Sequence, residues 1–431
     1  MGARSNAPAE RFFAGLVLFL FTDALLPLMR REAGVTVDLA QGDRVSQMIW
    51  LGVYGVTFLL AAIHWRVVVR SLFQGRQLIL LVAIALASAL WSVAPAVTVR
   101  RGIALVGTTL FGVYFAARFT LSQQIRILAG TLATIAVLSL VVALAMPWIG
   151  VSSGVHEGAW RGIFVHKNIL GRIMALSAIV WAISARQAAR GRMLAHVMLA
   201  LSVLLVFLSR STTGMLMLAA VGAALAMHRL LRLHYTLMLS LAIFAGLLGV
   251  AAVAWLSRSL DLVFALLQKE PTLTGRTILW AVVLERIWRN PLLGYGYGAF
   301  WLGPSGESRR VWDVVGWDAP HAHQGYLDLL LDVGGIGAFI FLAGFASAFV
   351  RASALVRRRI TNYWPVAYLT FMLAYNFAES AILRQNSIFW TLYVSLVVQL
   401  AMYARAPSSR QTLAAESSGP TAGTTPACLP S

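Results

Sequence analysis

The chain is long, apolar and poor in charged residues. Of its 431 residues, 59% are hydrophobic and only 12% are charged, whereas soluble globular chains carry about 25% charged residues. A surface that faces water needs more charge than this, so the composition excludes a soluble protein and predicts a polytopic membrane protein. The formal net charge of +19 leaves nucleic acid, anionic lipid and an anionic substrate open as partners. The single cysteine, Cys428, excludes a disulfide framework and a thiolate metal site.

Apolar runs along the chain predict an all-α fold of about twelve transmembrane helices. A span needs roughly 20 apolar residues, and such runs fall near 12–29, 46–65, 77–94, 101–118, 126–148, 168–185, 193–209, 211–228, 235–257, 326–350, 362–382 and 387–404. The first run contains Asp23 and lacks a small-residue cleavage site, so we interpret it as a retained span rather than a signal peptide. Twelve spans place both termini on the same side of the membrane.

The distribution of basic residues predicts which side this is. About half of the lysines and arginines fall at the two termini and in the connections that share their side. Because positive charge concentrates on the cytoplasmic side, both termini are predicted to be cytoplasmic. Residues 1–405 form the predicted transmembrane domain. Residues 406–431 are rich in Ser, Thr, Pro, Gly and Ala, and are predicted to be a disordered cytoplasmic tail.

The longest connection, about 258–325, is predicted to be a large periplasmic loop. Its apolar pattern over Thr277–Trp288 predicts a short helix with Thr274 as its cap. Pro291 and the glycines of Gly294–Gly298 then prevent the helix from continuing. Tryptophans and tyrosines crowd this loop, either as an interfacial belt or as a surface on which sugars stack. Loops of this length are usually functional, so a site is expected here.

The segment His321–Asp328 is the first candidate site, because two histidines precede an apolar helix. His323 is predicted at the helix entry, where the positive end of the dipole disfavours imidazolium and attracts anions. A neutral imidazole beside a bound anion is suited to act as a general base, with His321, Gln324 and Tyr326 as binding residues. The alternative is that the histidines only cap the helix at the membrane interface. A His-x-His pair without a third nearby ligand is an incomplete zinc set, so no metal and no cofactor is predicted.

Basic residues at the outer ends of other spans form the second candidate site. Two arginines, a lysine and a histidine lie within Arg161–Arg172 at the start of a predicted span. Arginine forks bind phosphate oxygens bidentately, so these residues are a predicted phosphate clamp; snorkelling at the membrane boundary is the alternative. The polar segments Ser209–Thr213 and Glu379–Asn386, and the start of the loop helix, fall on the same side. The binding residues predicted here are Arg161, Lys167, Arg172, Arg210 and Arg276.

Four motifs occur together in the second half of the chain. His323, Gln324, Gly334 and Gly337 fit a pattern of His, then Asn, Ser or Gln, nine residues, Gly, two residues, and Gly, Thr or Tyr. Residues 162–171 read Gly-Ile-Phe-Val-His-Lys-Asn-Ile-Leu-Gly, residues 274–280 read Thr-Gly-Arg-Thr-Ile-Leu-Trp, and residues 291–296 read Pro-Leu-Leu-Gly-Tyr-Gly. In this combination the chain, from about Gly158 to Trp390, resembles the O-antigen ligase and polysaccharide polymerase superfamily, in particular its exopolysaccharide-polymerase branch.

The resemblance implies a metal-independent glycosyltransferase of the bacterial inner membrane, with its active site on the periplasmic side and no cofactor. It implies an undecaprenyl-diphosphate-linked oligosaccharide as the donor and a glycan hydroxyl as the acceptor. Carried onto this sequence, His323 becomes the base that activates the acceptor hydroxyl, and Arg276 becomes the leading diphosphate ligand. Arg161, Arg172 and Arg210 are further candidate ligands. A flippase and a chain-length regulator are expected partners, besides the membrane lipids.

Other classes of protein remain open at this point. A transporter or flippase for lipid-linked glycans would carry charges through the middle of several spans, whereas here they gather at the outer rim, with Asp23 the main exception. A structural subunit of an envelope assembly would not need histidines and arginines on one face. Within the superfamily, the exopolysaccharide-type motifs favour a polymerase over a ligase that acts on lipid A core. Orientation and anionic headgroups account for about half of the positive charge, so nucleic acid is not an expected partner.

Overall fold

The computed structural model describes residues 7–24, 44–187, 191–230, 271–358 and 361–405. In these ranges the chain is helical and forms no strand, apart from one isolated bridge between Val151 and Trp160. This confirms the all-α prediction for the described part of the chain. The helices of eight or more residues are α1 (Pro8–Leu20), α2 (Arg44–Ile63), α3 (Trp65–Leu72), α4 (Arg76–Ala87), α5 (Pro95–Arg118), α6 (Leu121–Ala145), α7 (Lys167–Gln187), α8 (Arg192–Leu208), α9 (Thr212–Leu230), α10 (Pro271–Arg289), α11 (Ser308–Val315), α12 (Gly325–Arg357), α13 (Trp364–Tyr375) and α14 (Ile388–Arg405).

The length and composition of these helices are those of a polytopic membrane protein. Six stretches of the described chain are long and apolar enough to cross a bilayer: Val45–Ile63, Trp65–Leu90, Pro95–Arg118, Leu121–Ala145, Lys167–Arg186 and Gly325–Arg357. Three shorter apolar helices accompany them, at Arg192–Leu208, Thr212–Ala223 and Ile388–Ala404. The predicted span 235–257 and the predicted tail 406–431 lie outside the described residues, so the total of twelve spans stays a prediction.

The first predicted span, 12–29, is wrong in its described part, because α1 ends at Leu20 and a turn follows over residues 21–24. Asp23 lies in this turn with a φ of 61°, a left-handed conformation in which a helix cannot continue. Residues 25–29 lie outside the described ranges. The turn is anchored at Phe21, whose carbonyl accepts a hydrogen bond from the backbone N–H of Ile388 at 2.9 Å. Therefore α1 ends beside the start of α14.

At the opposite end of α1, buried polar groups close the C-terminal end of α5. Glu10 of α1 forms an ion pair with Arg118 at the C-terminus of α5, with 3.0 Å between Oε1 and the guanidinium nitrogen. The last carbonyls of α5 have no partner within their own helix. The side chains of Gln124 and Gln399 supply it, since both donate to the carbonyl of Phe119. The N-terminus of α1 is thereby tied to α5, α6 and α14 on the side predicted to be cytoplasmic.

Helix α12 is broken, which corrects the prediction of one continuous helix over 326–350. Its 33 residues would measure about 50 Å as a regular helix, far more than the roughly 30 Å of a hydrocarbon core. At Gly334 the backbone leaves helical geometry, with φ 64° and ψ −168°. The break separates a short segment, 325–333, from a segment, 335–357, that is still about 34 Å long and able to span the core.

The segment after α10 fills this break. The backbone N–H groups of Gly335 and Ile336 donate to the carbonyls of Pro291 and Leu292 at 2.8 and 3.2 Å, and Tyr295 N–H donates to the carbonyl of Leu331 at 2.7 Å. A Cβ on Gly334 would lie only 2.2 Å from the carbonyl oxygen of Leu292. The Pro-Leu-Leu-Gly-Tyr-Gly motif is thus a backbone plug in the break of α12. It satisfies N–H and carbonyl groups that would otherwise lack partners.

Two further predicted boundaries are wrong. Helix α10 begins at Pro271 rather than at 277, so Thr274 lies inside the helix and does not cap it; proline suits the first turn because its φ is already helical. Helix α13 ends at Tyr375, although a span was predicted over 362–382. Its 12 residues cover about 18 Å, too little to cross the core, so the connection 376–387 begins within the bundle. This connection carries polar residues that meet the loop before α12.

Candidate active site

Two histidines and a glutamate form a compact cluster where the connection 376–387 meets the loop before α12. His321 Nε2 lies 3.7 Å from Glu379 Oε2, and His323 Nδ1 lies 3.5 Å from the same oxygen. The two imidazole rings have centroids 4.1 Å apart. The side chains are 16%, 18% and 9% exposed in the order His321, His323, Glu379, so the cluster is largely removed from water but still open to a ligand.

The backbone of the histidine loop is fixed at Ala322, between the two histidines. The N–H of Ala322 donates to Asp328 Oδ1 at 3.1 Å, and its carbonyl accepts from the indole of Trp280 at 2.9 Å. His323 follows in a left-handed conformation, with a φ of 51°. Such a conformation is strained for a residue other than glycine and persists only where the surroundings enforce it. Both peptide groups of Ala322 therefore position the adjacent imidazoles.

The predicted binding residues that follow His323 have structural partners. The Gln324 side chain caps α12 by accepting a hydrogen bond from Leu327 N–H at 2.6 Å, as expected of an N-cap. Tyr326 directs its hydroxyl to the carbonyl of Leu373 at 3.0 Å, and its ring packs against Phe377. These contacts hold the start of α12 against α13. The alternative role of the histidines was to cap α12. In the structure, Gln324 makes this cap.

The charges around the cluster set opposite protonation preferences for its members. Burial lowers the pKa of His321 well below 6.5, and the positive charges of His323 and Arg384 add to this effect. Burial by itself would raise the pKa of Glu379. The contacts with His323 and His321 and the positive charge of Arg172 outweigh it, and lower the pKa of Glu379 to about 2. At neutral pH the cluster therefore combines a neutral His321 with a carboxylate at Glu379.

Glu379 also completes a set of three possible metal ligands, which the sequence did not show. Within the described residues, one atom each of His321, His323 and Glu379 lie within 4.8 Å of one another, and two histidines with a glutamate are a known zinc set. However, His321 Nδ1 accepts the backbone N–H of His323 at 3.0 Å. In neutral imidazole only one nitrogen carries the proton, so His321 Nε2 is protonated and has no lone pair for a metal. This hydrogen bond fits a purely organic site better than a metal site.

Arg172 lies next to the cluster, on the first turns of α7. Its guanidinium donates to the hydroxyl of Tyr375 and stands over the rings of Tyr375 and Phe389, with 5.8 and 5.7 Å from Cζ to the ring centroids. Tyr375 belongs to the same turn as Glu379, because the Glu379 N–H donates to the Tyr375 carbonyl at 2.9 Å. One nitrogen of Arg172, Nε, is buried and makes no hydrogen bond. Arg172 is thus a fixed positive charge with an unused donor.

The other predicted basic residues gather at the N-terminus of α7, where their side chains serve the backbone. Arg161 donates to the carbonyls of Ile149 and Trp148 at 2.7 and 3.3 Å. Lys167 donates to the carbonyl of Arg210 at 3.3 Å, and Arg210 donates to the carbonyl of Glu157 at 3.2 Å. Arg161 is therefore largely occupied, while the exposed Arg210 keeps part of its guanidinium available to a ligand.

Two histidines stand among these basic residues. The rings of His156 and His166 have centroids 5.4 Å apart, and His166 Nδ1 accepts the N–H of Asn168 at 3.2 Å, which explains the His-Lys-Asn motif as a helix cap. Burial lowers the pKa of His166, and the positive charges of His156 and Lys167 add to it, whereas Glu379 acts in the opposite direction. Glu379 therefore acts electrostatically on His166 as well as on His321.

Arg276 lies in α10, one turn before Trp280, and its side chain is half-buried. Residues four apart lie on the same helix face. Since the indole of Trp280 is bonded to Ala322, the face that carries Arg276 is turned towards the histidine loop. Arg276 thus lies within a regular helix, on the face that carries Trp280. The structure brings His321, His323 and Glu379 together, with Arg172 next to Tyr375 in the turn that leads to Glu379.

Comparison with known proteins supports the resemblance found in the sequence. A sequence profile of the family described as O-Antigen ligase matches residues 197–342. The chain is also 28% identical over 323 residues to the exopolysaccharide production protein ExoQ of Rhizobium meliloti (strain 1021), a match that covers 72% of each chain. Over these ranges the chain is similar to the O-antigen ligase and polysaccharide polymerase superfamily. The matching profile covers α10 and the histidine loop, whereas Glu379 lies beyond it.

Proposed function

We propose that the protein is a polysaccharide polymerase of the bacterial inner membrane. In this proposal it transfers a glycan from an undecaprenyl-diphosphate-linked donor to a sugar hydroxyl on the periplasmic side. The observation that carries the proposal is the contact of His323 with Glu379, 3.5 Å across, beside the guanidinium of Arg172. A base held by a carboxylate and a fixed positive charge are the two elements that glycosyl transfer to a hydroxyl requires.

The geometry supports His323 as the general base. Its Nδ1 faces Glu379, which leaves Nε2 to accept the proton of the acceptor hydroxyl. The acceptor oxygen then forms the new glycosidic bond to the anomeric carbon, while the bond from that carbon to the diphosphate oxygen breaks. The bonding electron pair leaves with the diphosphate. Glu379, held as a carboxylate, stabilises the imidazolium that results.

Arginines meet the negative charge that develops on the diphosphate. Arg276 is the leading ligand in this proposal because it lies on the helix face that contacts the histidine loop. Arg172 contributes a second positive charge from α7, next to the cluster. A guanidinium fork matches two phosphate oxygens at once. Fixed charges of this kind stabilise the leaving group without a metal ion, so the proposed reaction is metal-independent. Lys167 and Arg210 border the same site and steer the anionic donor towards it.

The similarity to ExoQ, an exopolysaccharide production protein, favours exopolysaccharide assembly and hence another lipid-linked repeat as the acceptor. A ligase would use lipid A core instead. The positive-inside rule favours cytoplasmic termini and an active site on the periplasmic side. A flippase that delivers the donor and a regulator of chain length are the proposed protein partners. Membrane lipids surround the apolar helices, and nucleic acid has no role in this proposal.

Reconstitution tests this function directly. The purified protein is placed in proteoliposomes with a defined undecaprenyl-diphosphate-linked repeat, and both chain length and released undecaprenyl diphosphate are measured. A polymerase lengthens the glycan and releases one lipid diphosphate for each bond formed. Transfer to lipid A core, but not to a second repeat, would identify a ligase. Movement of the intact lipid across the bilayer without release of undecaprenyl diphosphate would identify a transporter and refute the proposal.

A further inference from the structure

We propose that Asp328 is a positioning residue that holds the two histidines and Glu379 in one arrangement. This inference rests on the proposed function. Asp328 lies in the first turn of α12, and its carboxylate accepts hydrogen bonds from three other parts of the chain. Oδ1 accepts the backbone N–H of Ala322 at 3.1 Å and the indole N–H of Trp301 at 2.8 Å. Oδ2 accepts the hydroxyl of Ser380.

The three donors are placed so that one carboxylate controls both halves of the cluster. Ala322 separates His321 from His323, and Ser380 follows Glu379 in the chain. Asp328 therefore connects the residue between the histidines to the residue after the glutamate. Neither loop is regular secondary structure, and the contacts between the histidines and Glu379 are 3.5 and 3.7 Å long. Contacts of this length are too weak to set the arrangement on their own, so it needs support from outside the cluster.

The hydrogen bonds of Asp328 fix its side chain from several directions. Trp301 brings a rigid indole from the large outer loop to Oδ1. Ala322 is held from the opposite side by Trp280, so the peptide group of the histidine loop cannot rotate freely. The charged groups that act on the cluster are Arg384, Arg172, Glu379 and the histidines themselves.

Asp332, one turn further along α12, offers a matched control. Its Oδ1 accepts the backbone N–H of Gly298 at 3.0 Å, and the guanidinium of Arg101 donates to the carbonyl of the same glycine. Asp332 therefore holds the loop after Tyr297, and within the described part of the chain it makes no hydrogen bond to the histidine loop or to Ser380. An Asp→Asn change at each position makes the same replacement, of similar size and shape, in the same helix. Only the change at residue 328 loosens the cluster.

The experiment compares Asp328→Asn and Asp332→Asn in proteoliposomes with the undecaprenyl-diphosphate-linked repeat. Displacement of reacting groups by about 1 Å costs on the order of 100-fold in rate, so kcat of Asp328→Asn should fall by about that factor while KM for the donor stays within about twofold.

Ser380→Ala should lower kcat less, and the double variant should lose less than the product of the two effects. Asp332→Asn should keep kcat within about threefold of the wild type. Equal losses of kcat in Asp328→Asn and Asp332→Asn, or a rise of KM with kcat intact, would overturn the proposal.

A second measurement does not depend on polymerase activity. Diethyl pyrocarbonate modifies imidazoles, and mass spectrometry of the full-length protein reports the extent at each histidine. Asp328→Asn should increase labelling of His321 and His323 severalfold, whereas Asp332→Asn and the distant His196 should match the wild type. Unchanged labelling in Asp328→Asn would refute the positioning role even if the protein proves not to be a polymerase. Increased labelling in Asp328→Asn, together with a wild-type protein that forms no polymer in proteoliposomes, would refute the proposed function alone.

Discussion

His323 Nδ1 and Glu379 Oε2 lie 3.5 Å apart, although the two residues belong to different loops on either side of α12 and α13. Glu379 is largely buried, and its contacts with His323 and His321 and the positive charge of Arg172 keep it ionised with a pKa of about 2. A buried carboxylate that faces one nitrogen of an imidazole orients the ring and leaves the other nitrogen for a substrate. This pairing distinguishes His323 from a histidine that only caps a helix.

The first prediction concerns the proposed base. His323→Ala should abolish chain elongation, because no other group in the described structure has its Nδ1 held by Glu379 and its Nε2 free. Loss of a general base typically lowers the rate by a factor of about 10² to 10⁴. Elongation is measured with the lipid-linked repeat, and membrane levels of the protein are measured by immunoblot. His196→Ala, an exposed histidine of α8, serves as the control. Normal chain length in His323→Ala would refute the assignment of the base.

The second prediction concerns the diphosphate ligand on α10. Arg276→Ala should weaken use of the lipid-linked donor, and Arg276→Lys should restore little of it, since a point charge cannot replace a planar fork. The measured quantity is kcat/KM for the donor. The matched control is Arg289→Ala on the same helix, where an exposed ion pair with Glu285 at 2.6 Å contributes about 0–1 kcal/mol. Full rescue by lysine would show that Arg276 acts only as a point charge.

The helical fold and the chemical character of the site followed from the sequence because they depend on local patterns. Apolar runs identified most described helices, and His321, His323 and Arg172 were recognised by their charge at the ends of apolar segments. The break at Gly334 was missed, because Gly334 lies inside a run that is apolar except for Asp328 and Asp332. Only tertiary contact with Leu292, far away in the chain, makes the break possible. The pairing with Glu379 was missed for the same reason, since no local pattern connects the loop before α12 to the one after α13.

The sequence also could not separate ligands from scaffold among the basic residues. Arg161 and Arg172 stand in the same motif region with the same charge, and both were expected to bind phosphate. In the structure Arg161 donates to two backbone carbonyls, whereas Arg172 keeps a buried Nε without a partner. The difference depends on where the turn Pro147–Gly150 ends, which is a matter of three-dimensional packing.

The third prediction concerns metal ions. Activity in proteoliposomes should stay within about twofold of its initial value after treatment with EDTA, because the proton on His321 Nε2 competes with any metal for that atom. Metal content measured by mass spectrometry should show no stoichiometric zinc. As a control, a known zinc-dependent transferase is treated in parallel. Loss of activity with EDTA and its return with Zn²⁺ or Mg²⁺ would contradict the metal-free mechanism.

The fourth prediction follows from the lowered pKa of His321. The unfolded chain gains a proton on this imidazole below its ordinary pKa of about 6.5, whereas the folded protein does not. Because the unfolded state then binds more protons, the free energy of unfolding falls as the pH decreases from about 6.5, by at most about 1.4 kcal/mol per pH unit for this group. Glu379 adds no pH dependence in this window, because its stabilisation is lost only between about pH 4.5 and its folded pKa of about 2.

Thermal unfolding in detergent between pH 7.5 and 5.5 measures this effect. His321→Asn should show a smaller decrease of the melting temperature over this range than the wild type does. His196→Asn, which changes an exposed histidine, should retain the decrease of the wild type. A wild-type melting temperature that rises on acidification, or a slope that His321→Asn leaves unchanged, would contradict the lowered pKa.

The last prediction tests the backbone plug in α12 with two glycines that both have a positive φ. Gly334 has a φ of +64°, and a Cβ there would lie 2.2 Å from the carbonyl oxygen of Leu292; Gly316 has a φ of +77° with open space around it. Gly316→Ala should therefore destabilise the protein only through backbone strain, by about 1–2 kcal/mol.

Gly334→Ala adds a clash with a backbone atom that cannot turn away, so the segment 291–295 must leave the break. We expect a larger decrease of the melting temperature and loss of elongation in Gly334→Ala, since the plug connects α10, with Arg276 and Trp280, to α12. Equal effects of the two substitutions would show that strain alone accounts for the glycine at 334.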